Sequence, residues 1–428
     1  MRNIFPLFLF LLPLLAIGAG AGSANNLAEA IILTPQAGAL TEDVEITRWQ
    51  KRAGAADARA DAFERLGWAF VAKARRTLDA GFYKLAEKTA DAMDARFGAS
   101  AESRLLRGHV LHNLHRFGEA ETLARALVAE RGLAVDLALL SDALMEQGKI
   151  REAVGVLQQM VNLKPGAEAF SRIAHVRWLK GDLKGAVDAM EMAMRASSPR
   201  DGESHAWTLV RLSGYYLQEG RTDAALTAAE SAAKHAPDYA PAILARGRAL
   251  LALGRGEDSV AELRRAADLN PLPEYQWWLA DVLRASGHEQ DAVKTESELK
   301  SRGELGDPRT LALFLATRGE NAALAVRLAR EELENRADVL THDALAWALA
   351  ASGDFAAADA EMRAALAEKT KDARLLFHAG EIALGLGRRD AAHGFFSQAQ
   401  TYAAALTPGE QARLAGRLEH QVTTARAD

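Results

Sequence analysis

The sequence predicts an all-helical solenoid of about ten antiparallel helix pairs, and two periodic features predict it. A turn residue recurs at intervals of 32 to 39 residues along most of the chain. These turn residues are Gly81, His115, Gly148, Gly181, Gly220, Gly254, Gly287, Gly319, Gly353 and Gly387. A small residue precedes each turn by seven places, and another follows it by five places in every pair except the eighth, which has Leu324 there. Such a period is typical of stacked helix pairs, none of which can bury its apolar face alone.

Each periodic residue has a mechanical reason. A glycine ends the first helix of a pair because it enters the left-handed region without a Cβ penalty. The small residues, such as Gly247 and Ser259, stand where the two helices cross, and a larger side chain would separate them. Proline cannot continue a helix, so Pro165, Pro237 and Pro271 are expected to end the second helix of their pairs.

This spacing resembles the tetratricopeptide repeat family, whose pattern places aromatic, small and proline residues at fixed positions over 34 residues. The unit that carries the resemblance best contains Leu212, Ser213, Tyr216, Gly220, Ala225, Ala229 and Pro237. The resemblance covers about residues 60–406 and implies a right-handed superhelix that binds other proteins. The chain departs from the family pattern at Ala90, Ala124 and Ala229, where the family has a large residue, and at Leu324.

Residues 1–24 have the pattern of a secretory signal peptide. Arg2 precedes an apolar stretch from Ile4 to Ile17, and small residues follow. The stretch is shorter than the roughly 20 residues that a membrane-spanning helix needs. We therefore expect cleavage after Ala21 or Ala24, no membrane span in the mature chain, and a periplasmic or secreted protein; an uncleaved anchor is the alternative.

The remaining boundaries follow from the ends of the periodic region. Residues 25–58 are expected to form a loose arm to Leu40 and a short helix from Thr41 to Arg52, with Val44 and Trp49 docked on the first repeat. The array covers residues 59–406, and residues 407–428 form a capping helix. Thr407 is the expected N-cap of that helix, Pro408 its first residue, and Glu410 closes a capping box.

Composition argues against several classes of function. The net charge is −5 with both signs interspersed, whereas a nucleic-acid binder needs a basic surface. The chain has no cysteine, which excludes disulfides and thiol chemistry. It also lacks the motifs H-E-x-x-H, G-x-S-x-G and G-x-x-x-x-G-K-[ST]. We therefore expect no catalytic residue, no cofactor and no nucleic-acid partner.

Three histidines invite a metal-site hypothesis, because His109, His112 and His115 stand three residues apart. Zinc needs three or four protein ligands. His115 falls at the helix end and points away from the other two, so solvent-facing histidines are the favoured interpretation and a metal site is the alternative.

The resemblance also implies a binding groove. In a tetratricopeptide repeat the first helix lines the concave face, with its places 2, 5, 9 and 12 pointing into the groove. On that face or beside it lie Arg172, His175, Trp178, Trp207, Arg211, Arg248, Trp277, Asp281, Arg284, Asp343 and Trp347. Tryptophan and arginine often anchor interfaces, and mixed charges suit an extended peptide or helix of a partner protein. The alternative is that the tryptophans fill the packing between repeats.

Two functions therefore follow from the sequence. The favoured one is a non-catalytic scaffold of the bacterial cell envelope that binds partner proteins in its groove. The alternative is an envelope enzyme or a small-ligand binder that uses Arg172, His175, Asp281 and Asp343 as polar groups in the groove.

Overall fold

The computed structural model describes residues 21–36 and 38–424, and all regular elements in that part of the chain are helical. The predicted signal peptide falls mainly on residues 1–20, which lie outside the described residues. Within the described residues, no helix combines the length and the apolar character that a membrane crossing requires.

Ten helix pairs form the array, as the sequence predicts. They are α3 (Ala60–Thr77) with α4 (Gly81–Phe97), α5 (Ala101–Asn113) with α6 (Phe117–Glu130), α7 (Ala134–Glu146) with α8 (Ile150–Leu163), α9 (Ala167–Leu179) with α10 (Leu183–Ala196), α11 (Gly202–Gln218) with α12 (Thr222–His235), α13 (Ala240–Ala252) with α14 (Gly256–Leu269), α15 (Pro273–Ala285) with α16 (Glu289–Gly306), α17 (Pro308–Arg318) with α18 (Ala322–Asn335), α19 (Val339–Ala351) with α20 (Phe355–Ala365), and α21 (Ala373–Gly385) with α22 (Arg389–Thr401). Two helices precede the array, α1 (Ala21–Ile32) and α2 (Thr41–Ala53). A 3-10 turn, Ala403–Ala405, and α23 (Pro408–Thr424) follow it.

The chain divides into two compact units. The N-terminal unit runs to Arg75 and continues from Asp79 to Arg107. The C-terminal unit comprises Arg76–Leu78 and the chain from Gly108 onward. The boundary between them falls inside α5.

The predicted turn positions are confirmed at nine of ten places by a left-handed backbone. His115 and the eight glycines from Gly148 to Gly387 have φ between 59° and 87°. The prediction for Gly81 is wrong, because α4 begins there and the left-handed residue is Leu78, with φ 57°. The turn of the first pair therefore lies three residues earlier than the sequence suggests.

The helix crossings are built on the small residues. Those that follow the turns are fully buried, as Ala120, Ala153 and Ala392 illustrate. In the eighth pair the buried small residue is Ala325, one place after Leu324. The shift arises because Asn321 adds a second left-handed residue (φ 41°) before α18.

Hydroxyl groups also join the paired helices at their crossings. Ser213 Oγ donates to the carbonyl of Ala225 at 2.8 Å, and Ser259 Oγ donates to the carbonyl of Gly247 at 2.8 Å. Each bond links the two small-residue positions of one pair, so these serines add a directed contact where the helices approach most closely.

The N-terminal segment differs from the sequence expectation. Residues 25–32 are not a loose arm but part of the helix α1, which packs against α4 and buries Ala28 and Ile32. On α2 the side chain of Val44 is 64% exposed, whereas Ile46 is fully buried and Trp49 is half-buried. The side-chain amide of Gln50 donates to the carbonyls of Ile32 and Thr34, both at 2.8 Å, and so ties α2 to the end of α1.

The C-terminal helix has the predicted capping box. The backbone N–H of Thr407 donates to Glu410 Oε2 at 2.9 Å, and the N–H of Glu410 donates to Thr407 Oγ1 at 3.4 Å. Beyond the packing on α22 that the sequence suggests, α23 also packs against α15, three repeats earlier. The segment at its start therefore lies against the first helix of the seventh pair.

Gly380 tests the close approach of paired helices. A Cβ at this position would lie 2.4 Å from a ring carbon of Phe396, so Gly380→Ala is expected to lower the free energy of unfolding by about 1–3 kcal/mol. Gly214→Ala is the matched control, because a Cβ there meets nothing within 4 Å and should stabilise the helix by about 1 kcal/mol. Urea unfolding of both variants measures the difference, and equal effects would contradict the close-packing explanation.

Candidate partner-binding site

The eleven predicted groove residues all lie in the C-terminal unit, and most of them are covered. Trp207 is exposed, with 42% of its surface accessible. Trp178, Trp277, Asp281, Asp343 and Trp347 are buried. Arg172, His175, Arg211, Arg248 and Arg284 are intermediate. The surface that this set offers to a partner is therefore much smaller than the sequence predicts.

An ionic cluster surrounds Asp281. Its carboxylate pairs with Arg318 and accepts a hydrogen bond of 2.5 Å from Thr407 Oγ1 at the start of α23. Arg284 and Arg318 both donate to Glu296, at 2.8 and 2.7 Å. Burial raises the pKa of Glu296, but these two hydrogen bonds outweigh it and hold the pKa below its usual range. The cluster joins α15, α16, α17 and the C-terminal segment.

Trp277 lies beneath an arginine of the last repeat. The guanidinium of Arg374 stands 4.7 Å from the indole centroid and forms two hydrogen bonds, of 2.5 and 3.1 Å, with Glu410. Arg248 covers the ring of Trp278 at 4.6 Å and reaches the carbonyl of Ala405 at 3.5 Å. The last repeat and the C-terminal segment thus cover the inner side of the sixth and seventh pairs.

A buried aspartate and a buried histidine join the ninth and tenth helix pairs. Asp343 accepts a hydrogen bond from His378 Nδ1 at 2.9 Å, and the ring of His378 stacks on Trp347 with centroids 4.2 Å apart. The indole N–H of Trp347 donates to Thr317 Oγ1 at 2.9 Å. Asp343 and Trp347, which the sequence suggests for partner binding, therefore join the eighth, ninth and tenth repeats to one another.

The fourth and fifth pairs show the same behaviour. Arg172 forms two hydrogen bonds with Asp142, of 2.8 and 2.6 Å, and Trp178 Nε1 donates to the side chain of Gln218 at 2.6 Å. Arg211 Nη2 lies 3.3 Å from His175 Nδ1. Burial, followed by the positive charge of Arg211, lowers the pKa of His175 to about 3, so its ring is neutral and accepts this bond.

The polar groups of the alternative enzyme hypothesis do not converge. His175 contacts Arg211, Asp281 contacts Arg318, and Asp343 contacts His378. No hydrogen bond between described residues joins any two of the four groups that the hypothesis needs. The arrangement offers paired ions rather than a nucleophile beside a base.

The three histidines near the second turn do not form a metal site. Within residues 21–36 and 38–424, no group of three or more His, Cys, Asp or Glu side chains is placed to hold a metal ion. The ring of His115 stacks on Phe117 with centroids 5.5 Å apart. The side chain of His115 is exposed, as the sequence predicts, and its partly desolvated ring has a pKa lowered to about 4 by that desolvation and by the nearby cations Arg336 and Arg309.

An open cleft lies in the N-terminal unit, at a place that the sequence reasoning missed. Counted from the left-handed residue Leu78, places 2, 5, 9 and 12 of α3 are Arg65, Trp68, Ala72 and Arg75. The first three line a cleft of about 430 Å³ between α2 and α3. A glycine at the turn would have shown which residues of α3 occupy these places. The turn residue is Leu78, and the sequence instead suggests Gly81 as the turn.

The cleft has aromatic walls and mixed charge. Its lining residues are Thr41, Glu42, Glu45, Trp49, Glu64, Arg65, Trp68, Ala69 and Ala72. The indole N–H of Trp49 donates to Glu45 Oε2 at 3.0 Å, and the guanidinium of Arg65 lies 5.1 Å from the centre of the Trp49 ring. Carboxylates outnumber cations in the lining by three to one.

A buried ion pair holds the two helices that form the cleft. Lys73 of α3 pairs with Asp43 of α2, and both side chains are less than a tenth exposed. The second oxygen of Asp43 accepts the backbone N–H of Leu40 at 2.9 Å at the start of α2. Burial raises the pKa of Asp43, but the hydrogen bond from Lys73 outweighs it and leaves the pKa lowered.

Lys73→Met is expected to loosen the cleft. The substitution leaves the buried carboxylate of Asp43 without its counter-ion, at a cost of about 3 kcal/mol in the free energy of unfolding of this unit. The double variant Lys73→Met with Asp43→Asn should recover part of the loss, because no buried charge then remains. Lys88→Met, which breaks an exposed pair, should cost less than about 1 kcal/mol. Hydrogen exchange of α2 and α3 measures these changes, and a loss no larger in Lys73→Met than in Lys88→Met would contradict the assignment.

The half-buried His175 makes the C-terminal unit sensitive to acid. In the unfolded chain the pKa of histidine is about 6.5, whereas the pKa of His175 is lowered to about 3 in the fold. The unfolded state therefore takes up a proton first as pH falls, so this stability is complete above about pH 6.5 and is lost progressively towards pH 3. Thermal unfolding at several pH values should show the decline. His175→Gln should flatten it, while replacing the exposed His288 by Gln should not.

Comparison with known proteins finds a family match for part of the repeat array. A model described as tetratricopeptide repeat matches residues 216–282. None of the curated proteins matches the chain. Similar solved structures include MamA (residues 41 to the end) from Desulfovibrio magneticus RS-1, at 19% identity, covering 39% of this chain and 93% of that one with a TM-score of 0.33. PilF from Pseudomonas aeruginosa is 18% identical over 47% of this chain and 90% of its own, with a TM-score of 0.36.

A longer likeness is to human IFIT1, in the structure of its dimer with PPP-AAAA. It is 13% identical and covers 91% of this chain and 96% of that one, with a TM-score of 0.47. The family match lies in the middle of ten helix pairs, nine of which share one glycine-type turn position. Residues 216–282 therefore match the tetratricopeptide repeat.

Proposed function

We propose that this protein is exported to the bacterial cell envelope and acts there as a non-catalytic scaffold, which binds a peptide segment or helix of a partner protein. Tetratricopeptide repeats support a role in protein interaction in general. The export part rests on the sequence pattern of residues 1–24.

The observation that carries the proposal is the cleft between α2 and α3. It lies at the inner-face places of the first repeat, and its lining includes two half-buried tryptophans, Trp49 and Trp68. Large aromatic side chains anchor interfaces because they bury much area at little cost in side-chain entropy. The corresponding places in later repeats are occupied by contacts within the chain, such as those of Trp277 and Asp343.

The lining also indicates the kind of segment that fits. The tryptophans and Ala69 suit an apolar side chain, and the carboxylates of Glu42 and Glu45 suit a neighbouring lysine or arginine of the partner. A complex of micromolar affinity requires about −8 kcal/mol, which two buried anchors with their surrounding contacts can supply. Among the groove residues that the sequence predicts, Trp207 is the one that a partner can reach without displacing its neighbours.

Site-specific crosslinking in the cell tests this function. A photo-crosslinking residue at Thr41, which is exposed in the lining of the cleft, should capture a partner in the envelope fraction. Trp68→Ala should weaken that complex by roughly 1–3 kcal/mol, a typical cost for an interface anchor. Leu305→Ala is the control, because Leu305 is 96% exposed in the other unit and should have no effect.

Two outcomes would contradict the proposal. Capture that is unchanged by Trp68→Ala would remove the cleft as the binding site. Recovery of the protein only from the cytosolic fraction, with residues 1–24 intact, would remove the envelope role.

A further inference from the structure

A second cleft, of about 340 Å³, lies in the C-terminal unit between α19, α21 and α23. Its lining residues are Trp347, Phe377, Glu381, Arg413, Gly416 and Arg417. Two aromatic rings and three ionisable side chains therefore meet at one opening. Apart from Trp347, which the sequence assigns to the groove, these residues are used neither by the scaffold role nor by the cleft of the first repeat.

The unusual member of this set is Arg413. Among the described residues its half-buried guanidinium has no ion pair or hydrogen bond. The carboxylates whose charges act on it are each paired with a different arginine. These pairs are Asp281 with Arg318, Glu410 with Arg374, and Glu381 with Arg417.

This arrangement leaves a positive charge without compensation. Burial and the nearby charge of Arg318 lower the pKa of Arg413, yet a guanidinium stays protonated in proteins. Removing such a charge from water without a counter-ion is costly, and the cost falls if an anion binds. The planar fork of five N–H donors matches both oxygens of a carboxylate.

The rest of the cleft favours an anion that carries an apolar neighbour. Trp347 and Phe377 form its apolar wall, and the arginine–glutamate pair of Arg417 and Glu381, at 2.5 Å, closes its rim without adding net charge. At Gly416 a Cβ would meet nothing within 4 Å, so there is room beside the helix for a ligand. The volume lies at the lower end of the range for ligand pockets.

We propose that this cleft binds an acidic peptide, with a glutamate or aspartate side chain held by both terminal nitrogens of Arg413 and an adjacent apolar side chain against Trp347. The site is separate from the cleft between α2 and α3 and prefers the opposite charge. The two clefts are tested by different ligands, so the failure of one leaves the other in place.

Calorimetric titration of the full chain with two blocked pentapeptides tests the site. Ala-Leu-Glu-Leu-Ala should bind at least about tenfold more tightly than Ala-Leu-Gln-Leu-Ala, which differs only in the charged group. Arg413→Gln should abolish this difference. Arg388→Gln is the control, because it removes one positive charge from an exposed pair with Asp359 outside the cleft and should keep the preference.

Two further measurements separate a binding role from a structural one. Arg413→Gln should leave the thermal midpoint unchanged or higher, since it removes an uncompensated charge. Gly416→Trp should fill the open space, keep Arg413 and block the glutamate peptide.

Three outcomes would overturn the proposal. They are equal affinity for the two peptides, a glutamate preference that survives Arg413→Gln, and binding of inorganic phosphate as tight as that of the peptide. The last outcome would mean a site for free anions rather than for an acidic peptide segment.

Discussion

The fold depends on how closely two helices can cross. At each crossing a small residue from the first helix faces a small residue from the second, and the glycines among them leave no room for a methyl group, as Gly380 against Phe396 shows. A serine can stand at these places because its hydroxyl bonds to the opposite backbone, as Ser213 does. Alanine-rich interfaces bury little area per residue, so stability has to come from many repeats stacked in one phase.

Within the C-terminal unit, the inner side of the repeats is also used to hold the chain together. Tryptophan and arginine side chains of the middle repeats contact the last repeat and the segment before α23, as the stacking of Arg374 on Trp277 illustrates. Several charges there are paired with one of opposite sign, as Asp281 is with Arg318 and Glu410 with Arg374, whereas Arg248 and Arg413 form no ion pair among the described residues. Residues that anchor interfaces between proteins serve here as anchors within one protein, because the same properties of area and directed hydrogen bonds suit both roles.

This use of the inner side moves the candidate sites to the ends of the repeat array. At the first repeat, α2 stands beside α3 and the buried pair of Lys73 with Asp43 fixes their separation, which leaves an open cleft. At the last repeats, α23 brings Arg413 next to aromatic rings. In both places an additional helix outside the periodic array forms one wall, so the terminal helices form clefts as well as cover the core.

The sequence by itself determined the helical class, the number of pairs, nine turn positions and the capping box of α23, because these depend on local rules of backbone conformation and spacing. It placed the first turn wrongly, since Leu78 adopts a left-handed backbone that leucine rarely takes, and it missed the shift to Ala325 caused by Asn321. Only the tertiary structure decided which inner-face residues are covered. The covering groups, such as Thr407 on Asp281, come from more than a hundred residues away, and no local pattern encodes such a contact.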